Sequence, residues 1–190
     1  MTLVFASNNP NKIQEIQQLM PNFITILSLA SIGCKEDIPE TADTIEDNAI
    51  LKANYIAEKY GYNCFADDTG LEVEALDGAP GVHSARYAGE HRNTEDNINK
   101  LLAALKNKTN RNACFKTVIA LNLNGKKMLF TGVARGQINL ERKGNRGFGY
   151  DPVFTPEGHD LTFAEISIGL KGEISHRGKA VKKLIDFLKN

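Results

Sequence analysis

The sequence predicts an α/β protein with a mixed β-sheet, and two observations predict this class. Short apolar runs alternate with amphipathic stretches over residues 3–66, which is typical of strand–helix units. Two β-rich runs then flank Asn124-Gly125, a dipeptide that favours a type I′ hairpin. The hairpin adds antiparallel strands to a sheet that begins with strand–helix alternation.

Four strands and two helices are predicted in the first half of the chain. The strands are apolar or alternating runs at residues 3–6, 24–32, 64–66 and 72–76. The helices are residues 9–20, where Pro10 suits the first turn, and residues 44–60, which stop at Gly61.

The second half adds a helix from Thr94 to about Lys106 and the hairpin strands 113–123 and 126–140. A last helix over 176–189 takes Ser175 as its N-cap. Its predicted buried face consists of Val181, Leu184, Ile185 and Leu188. Long loops remain at 77–93 and 141–160, and loops of this length commonly carry function.

Composition bounds the possible functions. A chain of 190 residues without a linker or repeat fits one domain spanning 1–190. Lys+Arg and Asp+Glu number 23 each, so no overall field attracts nucleic acid or a membrane. The three cysteines, Cys34, Cys64 and Cys114, form no CxxC pair, which favours a reducing compartment. Without a signal-peptide pattern or a membrane-length apolar run, we expect a cytoplasmic protein.

Asp67 and Asp68 stand side by side in FADDTGL (65–71), directly after a predicted buried strand. Like charges repel and Asp is a poor strand former, so the pair needs an explanation. One alternative is a turn in which Gly70 takes a positive φ. The other is a site where a bound cation removes the repulsion.

The stretch SNNPNK (7–12) lies between a predicted strand and a predicted helix. Backbone amides at the helix start, together with Lys12, would suit an anion. The glycines and the GK[ST] ending of a Walker A loop are missing. The alternative is a simple strand–turn–helix capped by Asn.

Lys52 and Asn48 fall on the apolar face of the predicted helix 44–60. A lysine there either snorkels outward along its stem or points into a polar site. Glu40 lies on the loop before this helix and, taken alone, is an ordinary loop acid.

Two later stretches also favour a ligand. Aromatic and glycine residues alternate in GFGYDPVF (147–154), which indicates either a flat ligand stacked on a ring or an aromatic plug. In LKGEISHRGKA (170–180), cations surround the start of the last helix. They oppose the helix dipole there unless an anion offsets them.

Together these features indicate a site for a nucleoside triphosphate with Mg²⁺. Mg²⁺ binds carboxylate oxygen together with phosphate and water. The sequence has no His/Cys cluster with the spacing of a zinc site. In this hypothesis Asp67 and Asp68 share the bound cation while one of them orients water for attack on phosphorus.

Six motifs in one order resemble the inosine/xanthosine triphosphate pyrophosphatases. They are SNNPNK (7–12), EDNAILKA (46–53), FADDTGL (65–71), GAPGVHSARYAG (78–89), GFGYDP (147–152) and SHRGKA (175–180). The resemblance implies a two-lobed fold with a long central mixed sheet flanked by helices. It also implies a homodimer and Mg²⁺-dependent hydrolysis of purine triphosphates such as ITP, dITP and XTP to the monophosphate and pyrophosphate.

The resemblance also implies roles for individual residues. Asp68 is the proton acceptor and a Mg²⁺ ligand, and Asp67 and Glu40 support the metal. The residues that bind phosphate are Ser7, Asn8, Asn9, Pro10, Asn11, Lys12 and Lys52. Those at the base and sugar end are Phe148, Gly149, Tyr150, Asp151, Lys171, His176 and Arg177. Thr69, where the family usually has Ser, keeps a hydroxyl for the substrate, and Asn8 stands where many relatives have Gly.

Two other functions compete with this one. A nucleotide-binding regulator would keep the pocket without turnover, and the intact pair Asp67 and Asp68 argues against it. A pyrophosphatase for modified pyrimidines is the second, and the GFGYDP and SHR motifs favour the purine branch instead.

Overall fold

The computed structural model describes residues 1–189, and these residues form a mixed seven-stranded sheet flanked by helices. The strands are β1 (Thr2–Phe5), β2 (Thr25–Leu27), β3 (Cys64–Val73), β4 (Pro80–Gly81), β5 (Asn112–Leu123), β6 (Lys126–Ile138) and β7 (Phe154–Pro156). The helices are α1 (Pro10–Leu19), α2 (Ile45–Tyr60), α3 (Thr94–Ala104), α4 (Ile168–Ile174) and α5 (His176–Leu188). The predicted α/β class is therefore confirmed.

The sheet follows the order β2-β1-β3-β5-β6-β7, and β4 also pairs with β3. β1 runs parallel to β2 and β3, whereas β7 runs antiparallel to β6. Asn124 and Gly125 take φ values of 51° and 78° in the turn between β5 and β6. A type I′ turn requires positive φ at both central residues, so the hairpin prediction is confirmed.

The strand that carries the acid pair is longer than predicted. β3 runs without a break from Cys64 to Val73, so the alternative of a turn at Asp67–Gly70 is wrong. A neighbouring strand lies on each side of β3 in the sheet, and this pairing outweighs the poor strand propensity of Asp and Gly. Residues Glu74–Leu76, predicted as strand, form a 3-10 turn.

Other boundaries also differ. The second strand is shorter than predicted and is followed by a 3-10 turn at Ala30–Ile32. Three further elements, β4, β7 and α4, were not predicted because they are too short to show a clear periodicity. In α5, Val181 and Leu184 are fully buried and Ile185 and Leu188 partly so, as predicted.

The chain divides into two compact units, each with its own core. The first unit contains Met1–Asp68, Thr117–Gly132 and the chain from Arg177 onward. The second unit contains Thr69–Lys116 and Val133–His176. Because β3, β5 and β6 each continue from one unit into the other, no linker marks the boundary in the sequence.

The core of the first unit is built mainly from β1, β3, β5 and α5, and it includes stacked rings of Phe5 and Phe65. The core of the second unit includes Phe115, Phe154 and Phe163, whose rings contact one another. Within residues 1–189, none of the helices has both the length and the apolar composition that crossing a bilayer requires.

Candidate active site

Asp67 and Asp68 are consecutive residues of β3, so their side chains leave opposite faces of the strand. Asp67 is 1 % exposed and Asp68 is 8 % exposed. Each carboxylate lies near its own cation: Lys12 is 3.0 Å from Asp67, and Lys52 is 3.6 Å from Asp68. The alternation of side chains along the strand thus reduces the repulsion between the two carboxylates, which had been expected to require a shared cation.

The Asp67 carboxylate lies between two cations of the first unit. Lys12 Nζ donates to Oδ1, and Arg177 Nε donates to Oδ2 at 3.1 Å. Burial raises the pKa of Asp67, but Lys12 and Arg177 outweigh it and hold the pKa well below its usual range. Asp67 is therefore an ionised carboxylate whose two oxygens are both in ion pairs.

Glu15 extends the alternating charges around Asp67. Arg177 Nη1 donates to Glu15 Oε2 at 2.5 Å, and Glu15 lies three residues after Lys12 on α1. Burial lowers the pKa of Arg177, but Asp67 and Glu15 raise it by a larger amount, so the pKa lies above its usual value. Glu15 was missed because an acid three residues after a lysine is an ordinary pattern on helix surfaces.

Lys52 does not snorkel to the surface, so that interpretation is wrong. It is 5 % exposed, and its Nζ donates to Glu40 Oε1 at 2.5 Å and to the carbonyl oxygen of Asp67 at 2.8 Å. Burial lowers the pKa of Lys52, but Asp68, Glu40 and Asp67 more than offset it and raise the pKa. The lysine is therefore charged.

Asp68 has a different environment from its neighbour. Burial raises the pKa of Asp68 above its usual value, although Lys52 and Lys12 act in the opposite direction. A carboxylate with a raised pKa binds a proton more readily and is a better general base at neutral pH. Asp67 and Asp68 thus differ in proton affinity because the effect of the nearby cations outweighs burial at Asp67, whereas burial outweighs it at Asp68.

The SNNPNK segment is a capped helix start, as its structural alternative predicted. Asn9 is the N-cap of α1, and its side chain accepts hydrogen bonds from the backbone amides of Asn11 and Lys12. Pro10 occupies the first turn, and Ser7 Oγ accepts from the Asn9 amide. The segment's charged link to the acid pair is Lys12, whose pKa is lowered by burial.

In the second unit, Phe148, Asp151 and Lys171 form an aromatic–charged cluster. Lys171 Nζ contacts Asp151 Oδ2 at 2.5 Å and lies 5.1 Å from the centre of the Phe148 ring. Asp151 also accepts a hydrogen bond from the Phe148 amide. A side chain at Gly147, which has a positive φ of 71°, would collide with the Asp151 carboxylate. The loop conformation around Phe148 therefore depends on glycine and Asp151 together.

Two other predicted residues of this unit are packed inside it. Tyr150 is buried, and its hydroxyl donates to the Ser84 carbonyl oxygen at 2.8 Å. The His176 ring stacks on Phe115 with centroids 4.5 Å apart and planes 14° apart. Part of the aromatic stretch is thus a plug, as one alternative predicted, while Phe148 is only half-buried.

The structure distributes the predicted residues between the units. Lys12, Glu40, Lys52, Asp67, Asp68 and Arg177 come together in the first unit. Lys171 lies within α4 rather than at the start of α5, and Arg177 contacts carboxylates of the first unit. Thr69 is half-buried in β3 and Gly149 half-buried in its loop.

The fit of a metal depends on these carboxylates. Among residues 1–189, no three His, Cys, Asp or Glu side chains are grouped as a ready metal site. Both Asp67 oxygens are paired with cations, which leaves Asp68 and Glu40 as the carboxylates that fit a divalent ion. One or two carboxylates suffice for Mg²⁺, which takes its remaining ligands from phosphate and water.

A separate groove of about 670 Å³ lies in the second unit, and none of the predicted site residues lines it. Its polar lining includes Glu72, Glu74, Arg135 and His159.

Comparison with known proteins places the chain among relatives of the same length. The model of the Ham1 family matches residues 3–187. A dITP/XTP pyrophosphatase of Flavobacterium psychrophilum is 68 % identical over 190 residues, with both chains fully covered. A protein of the same name from Porphyromonas gingivalis is 57 % identical over 187 residues, covering 98 % of this chain and 96 % of that protein.

Solved structures agree with these sequence matches. A HAM1 protein from Coxiella burnetii superposes with a TM-score of 0.92 at 39 % identity, covering 100 % of this chain and 98 % of that one. The Ham1 protein of Staphylococcus aureus gives a TM-score of 0.90 at 41 % identity, with the same coverage.

Proposed function

Because the chain belongs to the Ham1 family, we propose that it hydrolyses deaminated purine nucleoside triphosphates (ITP, dITP and XTP) in the presence of Mg²⁺. The products are the nucleoside monophosphate and pyrophosphate, and the role is to remove these nucleotides from the pool. Relatives of equal length that are named dITP/XTP pyrophosphatases support the substrate class. The observation that carries the proposal is the buried charged cluster around the acid pair of β3.

The composition of this cluster supports a divalent ion, because carboxylate oxygens are the ligands that Mg²⁺ takes from a protein. The cluster includes the carboxylates of Glu15, Glu40, Asp67 and Asp68 and the cations Lys12, Lys52 and Arg177. In the proposal, Asp68 and Glu40 would hold Mg²⁺, which when bound would polarise a phosphate oxygen and offset negative charge on the phosphate oxygens. Lys52 and Lys12 supply further positive charge to the phosphates.

Asp68 accepts the proton of the attacking water in this mechanism. The proton moves to the Asp68 carboxylate as the water oxygen forms its bond to the α-phosphorus, and the bond between that phosphorus and the pyrophosphate leaving group breaks. Asp67 is too tightly paired to take the proton, and it holds Lys12 and Arg177 in place.

Base recognition is proposed for the aromatic–charged cluster of the second unit. The half-buried Phe148 ring offers a stacking face, and Lys171 can donate to the 6-oxygen of hypoxanthine or xanthine. His176, first assigned to the base, instead packs on Phe115 inside the unit. Adenine has an amino donor at this position, so a donor aimed there would lose its partner. Guanine keeps the 6-oxygen but carries a 2-amino group, for which we propose that the pocket leaves no room or partner. We therefore expect ITP and XTP to be preferred over ATP and GTP. Arg177 was first assigned to the base. Because its Nε donates to Asp67, we propose instead that it helps to hold the Asp67 carboxylate.

A homodimer and a cytoplasmic location remain part of the proposal. Both rest on the family resemblance and on composition. Light scattering at micromolar concentration tests the first, and a monomer there would remove the homodimer from the proposal.

The experiment that tests the function is a panel of nucleoside triphosphates assayed with and without Mg²⁺. Pyrophosphate and orthophosphate are measured separately, because attack at the α-phosphorus releases the former and attack at the γ-phosphorus the latter. Pyrophosphate from ITP and XTP, dependent on Mg²⁺, is expected. Binding without turnover would favour the regulator, and turnover of modified pyrimidine nucleotides alone would favour the second alternative.

A further inference from the structure

The segment 33–44 contains no helix or strand, yet the carboxylate of its Glu40 accepts a hydrogen bond from Lys52. An irregular segment keeps one conformation only where contacts offset the conformational freedom it loses. Its fixed points therefore decide where the Glu40 carboxylate lies.

The segment is held at one point on each side of Glu40, at Glu36 and at Ala42, and both points contact α2. On the C-terminal side, the Asn48 side chain accepts from the Ala42 amide at 2.9 Å and donates to the Ala42 carbonyl at 3.2 Å. Asn48 is 1 % exposed, so this two-point contact explains a polar residue on an apolar helix face.

On the N-terminal side, Glu36 is the fixed point. Its Oε1 accepts from the hydroxyls of Tyr55 and Tyr60, each at 2.8 Å, and from Lys59 Nζ. Bonds from Lys59, Tyr60 and Tyr55 hold the pKa of Glu36 well below its usual range. Three donors on one carboxylate oxygen specify the position of the segment more closely than a single surface ion pair.

The contacts follow one stripe of the helix. Asn48, Lys52, Tyr55 and Lys59 are spaced by four, three and four residues, which places them on the same face of α2. Lys52 lies in the middle of the stripe, between the two fixed points.

We propose that Glu36, with Tyr55, Lys59 and Tyr60, is a positioning clasp that holds Glu40 against Lys52. Glu36 does not touch the acid pair; it acts through the segment. The link to metal binding rests on the function proposed above, because Glu40 is there a Mg²⁺ ligand. The position of Glu40 itself does not depend on that function.

The test uses Glu36→Ala in the full chain, with Glu58→Ala as the matched control. Glu58 is exposed on α2, so its removal changes the net charge of the protein by the same amount as Glu36→Ala without releasing the segment. Tyr55→Phe combined with Tyr60→Phe provides a second variant that keeps the Glu36 charge and removes two donors.

Amide hydrogen exchange of residues 34–43 is the first measurement and needs no turnover. We expect about tenfold faster exchange in Glu36→Ala and a smaller increase in the double Phe variant, since local opening governs exchange. The control should match the wild type. Unchanged exchange in Glu36→Ala would overturn the clasp.

Binding of Mn²⁺, followed by its electron paramagnetic resonance signal, is the second measurement. Loss of an outer contact of a metal ligand typically costs about 10–100-fold in metal affinity. Glu36 acts on Glu40 only through the segment, so we expect Mn²⁺ binding to be about 3–10-fold weaker in Glu36→Ala. Equal Mn²⁺ affinity in Glu36→Ala and wild type, with faster exchange, would overturn the assignment of Glu40. The nucleotide panel on the wild type tests the proposed function separately.

Discussion

The two units balance their buried charges in different ways. In the first unit, Asp67 lies between Lys12 and Arg177, and Arg177 continues to Glu15, so charges alternate through a network. In the second unit, the Lys171–Asp151 pair lies against aromatic rings. A network of ionic groups suits phosphate and a metal ion, whereas one cation beside a half-buried ring suits a flat polar base. Variants in the two units should therefore change different kinetic quantities.

The largest expected effect is in the first unit. Asp68→Asn keeps the shape of the side chain and removes the proton acceptor, so kcat should fall by about 10²–10⁴. The loss should be similar for ITP and XTP, because the change does not involve the base. It is measured by steady-state pyrophosphate release, with Asp160→Asn, an exposed acid of the second unit, as control. A variant that retained wild-type kcat would move the base function to another carboxylate.

Asp67→Asn should mainly change stability, since it leaves Lys12 and Arg177 without their shared carboxylate. Removing one partner of a buried ion pair costs about 3–5 kcal/mol in the free energy of unfolding. Urea denaturation at pH 7 measures the loss.

The pH dependence of this loss has a definite sign. The pKa of Asp67 is lower in the folded state than its ordinary value of 3.8, so its stabilisation is present above pH 3.8. It is lost as the pH falls toward the folded-state pKa. The difference between wild type and Asp67→Asn should therefore shrink in acid, and a constant difference down to low pH would contradict the assignment.

Phe148→Ala should show that a variant in the second unit changes a different kinetic quantity from a variant in the first. Stacking of a base on an aromatic ring is worth about 1–3 kcal/mol, so the KM for ITP should rise about tenfold. The kcat should stay near the wild-type value, because the phosphate chemistry is untouched. Tyr62→Ala, which removes an exposed aromatic ring of the first unit, is the control. A fall in kcat with unchanged KM would remove the distinction between the units.

The smallest effect is expected for Tyr150→Phe. The Tyr150 hydroxyl donates to Ser84, and loss of that bond should lower the free energy of unfolding by about 1 kcal/mol. The ratio of kcat/KM for ITP to that for ATP should not change, because the hydroxyl is used inside the unit. A fall in this ratio would indicate that the Tyr150 hydroxyl contacts the base directly.

The sequence by itself determined the elements whose signals are local. The Asn124-Gly125 turn, the Gly61 stop and the apolar face of α5 depend on backbone preferences and periodicity, and the structure has them as predicted. The order of six motifs was also enough to identify the family to which the chain belongs.

Only the tertiary structure decided how the acid pair is arranged. The strand pairing of β3 makes residues 64–73 a continuous strand, which excludes the alternative of a turn and places Asp67 and Asp68 on opposite faces. Arg177 and Glu15 are separated by 162 positions, and Arg177 and Asp67 by 110, so no local pattern links them. Ion pairs between distant segments depend on how the core folds the chain, and for this reason the partners of the acid pair could not be predicted from the sequence.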